Sequence, residues 1–221
     1  MRVELGRRSG WAFNGRVLIE RDREVEKLLQ LLADAVDGEG RLVFLGGEAG
    51  VGKTSLMSAV AAAAPSGVEV RWGAADTLTA AAALGAVVDA LPELQEMVGD
   101  PTGVDRLELF RRVRSMLASG STLLVLEDLH WADEATLDLL RFLGRRLSGL
   151  RALLVVTYRP EDVPPHHVFS VMLEILRVSA VSTGSIWRHC RSAAYANSSR
   201  AHRSGAMRNS CTERPEVTRS I

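Results

Sequence analysis

Apolar positions along the chain switch between two periods, and the switching lays out alternating helices and strands. Val25, Leu28, Leu29, Leu31 and Leu32 recur at helical spacing among charged residues, which predicts an amphipathic helix over about 20–36. Asp37-Gly38-Glu39-Gly40 breaks it, and Arg41 to Leu45 is a short continuous apolar run of the kind buried on both faces of a parallel sheet. A glycine-rich loop and a helix over 54–64 follow. Strands are then predicted at 68–72, 121–126 and 151–157, with helices at about 78–98, 105–117, 134–147 and 168–176. Strands alternating with helices define βαβ units, hence an α/β fold of three layers around a parallel sheet.

The periodicity stops near Ile186. Leu176 is the last leucine, and the residues after it are rich in Ser, Arg, Ala and Asn. Such a composition buries little apolar surface, so the expected organisation is a flexible lead-in at 1–15, one domain at 16–177, and an irregular, disordered tail at 178–221. Seven basic and two acidic side chains fall within 178–221, although the whole chain balances 27 against 27. No overall field therefore points to nucleic acid or a membrane. Cys190 and Cys211 form neither a zinc pattern nor a disulfide framework, and no run reaches the roughly 18 apolar residues of a membrane span. A cytoplasmic setting is expected.

The glycine loop carries the clearest chemistry. Gly47, Glu48, Ala49, Gly50, Val51, Gly52, Lys53 and Thr54 fit G-x-x-x-x-G-K-[ST], and with Ser55 they are the expected nucleotide-binding residues. The glycines let successive N–H groups turn inward around phosphate oxygens, and the following helix aims its positive end at the same anion. Lys53 is expected to reach the β and γ oxygens, and the Thr54 hydroxyl to ligate Mg²⁺. The chain has 25 arginines and two lysines, so an ammonium at position 53 reads as a chemical choice. The expected ligands are ATP or ADP with Mg²⁺.

A second acidic site follows. The apolar run Leu123 to Leu126 ends in Glu127 and Asp128. By position Glu127 is the metal-side carboxylate and Asp128 the general base, though the two roles can be exchanged, and Thr54, Glu127 and Asp128 together form the candidate metal set. Asp133 suits the N-cap of the helix beginning at Glu134. His130 and Trp131 read equally as nucleotide-lining or as packed residues. Arg159, at the end of the fourth strand, faces either the γ-phosphate or solvent.

Taken together, Arg21 to Glu24, Gly47 to Thr54, Arg71 to Asp76, Leu126 to Asp133 and Thr157 to Arg159 resemble the AAA-type ATPase module of the STAND class. The likeness is to large ATP-binding LuxR-type transcriptional regulators and to origin-recognition-complex-like ATPase domains, and it covers about 16–177. It implies an ATP/ADP-controlled switch that hydrolyses slowly, self-associates and drives an output domain. Arg159 then matches the first sensor, and Ile19 and Arg21 approach adenine, with Glu20 where the family has glycine. The family's metal residue is usually Asp, whereas position 127 is Glu.

Family members are longer, with a fifth sheet strand, a helical lid, a repeat region and a C-terminal helix-turn-helix. On this resemblance the chain is a truncated regulator domain lacking its last strand and lid, and the leucine-free, arginine- and serine-rich composition suggests that the residues from about 178 arise from a frame change. The edge of 41–45 is then open, and no direct specific DNA binding is expected. Two other readings are a non-catalytic remnant that binds nucleotide weakly and a DNA-associated initiator-type ATPase.

Overall fold

The computed structural model describes residues 12–13, 16–17, 21–76, 83–98, 105–163, 168–175, 179–183 and 185–190. Two short strands, β1 (Ala12–Phe13) and β2 (Arg16–Val17), pair with each other antiparallel. The main body then runs α1 (Asp22–Val36), β3 (Arg41–Gly46), α2 (Lys53–Ala62), β4 (Val68–Ala74), α3 (Gly85–Ala90), α4 (Gln95–Val98) and α5 (Arg106–Ala118). It continues through β5 (Ser121–Glu127), α6 (Glu134–Gly144), β6 (Ala152–Tyr158) and α7 (Val168–Ile175). The predicted alternation is reproduced with ends shifted by a few residues. The alanine-rich stretch differs: a 3₁₀ turn at Pro92–Leu94 separates α3 from α4, because proline lacks the N–H that a continuous helix needs. Positions 78–82 of that stretch lie outside the described residues.

Four strands lie parallel in the order β4-β5-β6-β3, the α/β arrangement expected of a phosphate-binding sheet. Alternation along each strand divides the core into two layers. Val43, Leu45, Leu123, Val125, Leu153 and Val155 pack with Val25, Leu28 and Leu32 of α1 and with Leu56, Met57 and Val60 of α2. Leu42, Phe44, Leu124, Leu126, Leu154 and Val156 pack on the opposite face with α3, α5, α6 and α7. Burial on both faces explains why these strands read as unbroken apolar runs.

Residues 179–190 depart from the irregular segment expected after 178. They form β7 (Ser179–Thr183) and β8 (Ser185–Cys190), antiparallel to each other, and β8 pairs antiparallel with β3 from Leu42 to Gly46. The edge expected to be open is thus paired. The physical reason is that unpaired N–H and C=O groups on an apolar strand recruit any extended segment within reach. Val181, Thr183, Ile186 and Trp187 are residue types that favour such a conformation. The partner is antiparallel, so the parallel fifth strand is absent among the described residues, as is a helical lid after α7. Residues 191–221, with Cys211, and the adenine-side positions 19 and 20 lie outside the described residues.

Candidate functional site

The carboxyl ends of β3, β5 and β6 meet along one rim of the sheet, where ligands of open parallel sheets sit. β3 ends in Gly46, where any Cβ would run into the ring of Tyr158, and Gly47 N–H donates to the Tyr158 carbonyl at 3.2 Å. The loop then passes through Gly50 (φ 75°) and Gly52 (φ 91°), left-handed conformations that other residues adopt only at a cost. α2 opens at Lys53 with no side-chain cap and no acidic residue in its first turn. Its leading N–H groups and the positive end of its dipole are therefore free for an anion.

Lys53 is 8% exposed, and its Nζ donates to the carbonyls of Gly47 (2.7 Å) and Glu48 (3.0 Å). Burial lowers its pKa from 10.5, opposed in part by the Asp128 carboxylate. The outer turn of the loop is held from two sides. Arg21 Nη2 donates to the Val51 carbonyl at 2.9 Å, and Ala49 N–H donates to Glu161 Oε1 at 3.2 Å.

Glu127 and Asp128 are consecutive but serve different spaces. Glu127 Oε1 accepts from the Thr54 hydroxyl at 2.6 Å, and its Oε2 accepts from the Trp72 indole N–H at 2.9 Å. Asp128 takes a left-handed backbone conformation (φ 53°), the strained kind that clusters at functional sites, and its N–H donates to Thr157 Oγ1 at 3.1 Å. That turn aims Asp128 into a cavity of about 250 Å³ lined by Ala49, Gly50, Gly52, Lys53, Thr54, Ser55, Asp128, Thr157 and Arg159. Arg159 Nε stands 3.8 Å from Asp128 Oδ1, and Arg159 Nη1 stands 3.7 Å from Asp162 Oδ2. Glu127 instead borders a second cavity of about 400 Å³ with Thr54, Ser58, Ala61, Ala62 and Trp72.

The residues singled out in the sequence thus come together. Ala49, Gly50, Gly52, Lys53, Thr54, Ser55, Asp128 and Arg159 share one cavity, Glu127 joins it through Thr54, and Gly47, Glu48 and Val51 hold Lys53 and Arg21. Magnesium fits this donor set. Thr54 and Glu127 offer two hard oxygens in contact. Mg²⁺ takes one or two protein oxygens and fills its remaining positions with phosphate and water, so a sparse set suits it.

Neighbouring residues divide into packing and support. Asp133 caps α6, with Oδ1 accepting from Thr136 N–H (3.0 Å) and from Leu84 N–H (3.1 Å). His130 is buried, its ring lies 5.2 Å from that of the half-exposed Trp131 at a tilt of 47°, and it stands 3.5 Å from Asp162 and 4.0 Å from Asp128. Burial lowers its pKa from 6.5, with the two carboxylates opposing. Four supporting residues were not identified as such from the sequence. Thr157 and Trp72 sit inside motifs that give them no role, Arg21 carries an adenine-side expectation only, and nothing in the sequence points from Glu161 to Ala49.

Strand order, loop and acid pair together define a P-loop nucleotide-binding domain of the ATPase type. The family pattern of the AAA ATPase domain matches residues 17–156, and the chain belongs to that family. Nucleotide binding follows from membership, and Mg²⁺ is the metal typical of it. No curated protein matches the chain.

Solved structures similar to it include the Thermotoga maritima RuvB Holliday junction branch migration motor, 18% identical with a TM-score of 0.32, covering 65% of this chain and 40% of that one. A lysine-to-arginine mutant of the same RuvB is 18% identical with a TM-score of 0.34, covering 65% and 41%. A DNA polymerase III gamma subunit-related protein of Thermotoga maritima is 13% identical with a TM-score of 0.32, covering 64% and 41%. The chain spans about two fifths of the length of these structures. No described helix is long and apolar enough to cross a membrane.

Proposed function

We propose that this chain is the ATP/ADP-binding switch domain of a STAND-type signalling or transcriptional regulator, with slow Mg²⁺-dependent ATP hydrolysis. The observation that carries the reading is the common cavity into which Lys53, Thr54, Asp128, Thr157 and Arg159 face. The loop amides and Lys53 bind the phosphate oxygens, and Lys53 neutralises charge that builds on them during transfer. Magnesium, when bound, supplies further neutralisation of the β and γ oxygens. Thr54 and Glu127 are the residues that would hold it.

Asp128 accepts a proton from a water directed at the γ-phosphorus, and the bond from that phosphorus to the ADP oxygen breaks as the new P–O bond forms. Arg159, close to Asp128 and facing the same cavity, registers whether the γ-phosphate is present. Its position beside the loop after β6 supports a link between nucleotide state and the rest of a longer regulator.

The experiment is a titration of the purified chain with labelled ADP and ATP, with and without Mg²⁺, beside a Lys53→Ala control. Binding in the micromolar range that weakens by at least about tenfold in the control supports the reading, since charged hydrogen bonds to phosphate are lost. Equal, weak signals from both proteins overturn it in favour of the non-catalytic remnant that binds nucleotide weakly.

A further inference from the structure

The carboxylate at the end of β5 is held by two donors, and one of them lies on a different strand from any residue of the phosphate loop. In the parallel pairing of β4 with β5, Trp72 stands opposite Val125 and Ala74 opposite Glu127. Positions 72, 125 and 127 therefore share a face, and Trp72 is the diagonal neighbour of Glu127, two residues away along the strand. Few side chains span that diagonal. The indole does, and its N–H reaches Glu127 Oε2 at 2.9 Å while Oε1 accepts from Thr54 at 2.6 Å.

A glutamate at a strand end carries one more rotatable bond than an aspartate, so its carboxylate has more orientations to lose on binding a cation. The two donors remove that freedom. Trp72 also closes the outer side of Glu127, forming with Ala61, Ala62 and Ser58 the wall of the second cavity. Trp72 is partly buried and packs against the core layer of α1 and α2, while most of β4 is exposed or half-exposed, as expected of an edge strand. The core accounts for an apolar ring here but not for an N–H turned to Glu127.

We propose that Trp72 is a positioning residue for magnesium: its indole N–H fixes Oε2 of Glu127 so that Oε1 is presented beside the Thr54 hydroxyl. The proposal rests on the nucleotide-binding reading above. It makes Trp72 the reason that a glutamate serves at position 127, and it assigns the indole an effect on metal and none on the nucleotide alone.

The test is calorimetric titration of the full chain with ADP, in the presence and absence of Mg²⁺, for wild type and Trp72→Phe. Losing one hydrogen bond to a half-exposed carboxylate should cut the tightening produced by Mg²⁺ by about five- to tenfold, with Mg²⁺-free ADP affinity within about twofold of wild type. In a Glu127→Asp background the shorter carboxylate withdraws from the indole, so adding Trp72→Phe should cost nothing more.

An unchanged Mg²⁺ effect in Trp72→Phe overturns the proposal. So does an equal loss with and without Mg²⁺, which marks a structural role, or an undiminished cost in the Glu127→Asp background. If Trp72→Phe does not fold, the wild-type indole N–H resonance decides, identified by its displacement in Glu127→Gln. Protection from exchange and a shift when Mg²⁺ joins the ADP complex support the assignment, and free exchange with water overturns it. A wild-type chain that binds ADP under neither condition sinks the nucleotide reading itself, and this proposal with it.

Discussion

The Thr54 hydroxyl donates to Glu127 Oε1 at 2.6 Å, joining the first turn of α2 to the end of β5 across 73 residues of sequence. Two oxygens held in contact by separate elements of a packed sheet form one unit, so their substitutions should not add. Thr54→Ala and Glu127→Gln are each expected to weaken Mg²⁺-assisted ADP binding by about tenfold, in line with one charge-assisted contact, and the double variant by little more than either. Isothermal titration of the three proteins checks this. Fully additive losses would mean that the two side chains act on separate ligands.

Asp128 is turned away from its neighbour by a left-handed backbone, and its carboxylate faces the cavity beside Arg159. Removing the base while keeping the shape isolates proton transfer. Asp128→Asn should lower ATP turnover by about 10²- to 10⁴-fold, the usual scale for a general base. ADP affinity should stay within about twofold of wild type in the same preparation. Turnover that survives the substitution would move the base role to another residue, Glu127 being the next candidate.

How much of this was legible in the sequence follows from how local each cause is. The loop from Gly47 to Thr54 declares itself because its glycines, lysine and threonine answer to one ligand within eight consecutive residues. The strands at 41–45, 121–126 and 151–157 were legible because burial on both faces leaves a run with no polar alternation. The partners of those elements were not. Glu161 reaches Ala49 across 112 residues, and Trp72 reaches Glu127 across 55, so no period or spacing encodes either contact. Residues 179–190 failed for a related reason. Their composition lacks the apolar surface to build a core, but pairing along β3 needs only backbone groups, which every residue in an extended conformation supplies.

Phe169 links the last described helix to the body of the domain. It is fully buried, with its ring 5.1 Å from that of Tyr158 on β6 and 6.1 Å from that of Phe44 on β3. Phe169→Ala removes an aromatic from between two others and leaves a cavity that the sheet cannot close. A loss of about 3–5 kcal/mol in unfolding free energy is expected, read from urea denaturation. A change under about 1 kcal/mol would show that α7 is not part of the cooperative unit.

His130 makes folding stability depend on acidity. Its ring is buried, neither nitrogen has a hydrogen-bond partner, and burial lowers its pKa below 6.5 despite the nearby carboxylates of Asp128 and Asp162. Between the folded-state pKa and 6.5 the unfolded chain therefore binds more protons than the folded one, so stability rises with pH across that window. The destabilisation is complete below the folded-state pKa and absent above 6.5. Replacing the ring by an apolar side chain removes the proton uptake while keeping the site filled. His130→Leu should therefore flatten the acid side of the stability profile, with wild type losing ground to the variant as pH falls from about 7 to about 5, above the range where most carboxylates titrate. Urea midpoints measured without nucleotide or metal at half-unit intervals supply the comparison. Parallel profiles would mean that His130 keeps its proton equilibrium on folding and that the acid sensitivity lies elsewhere.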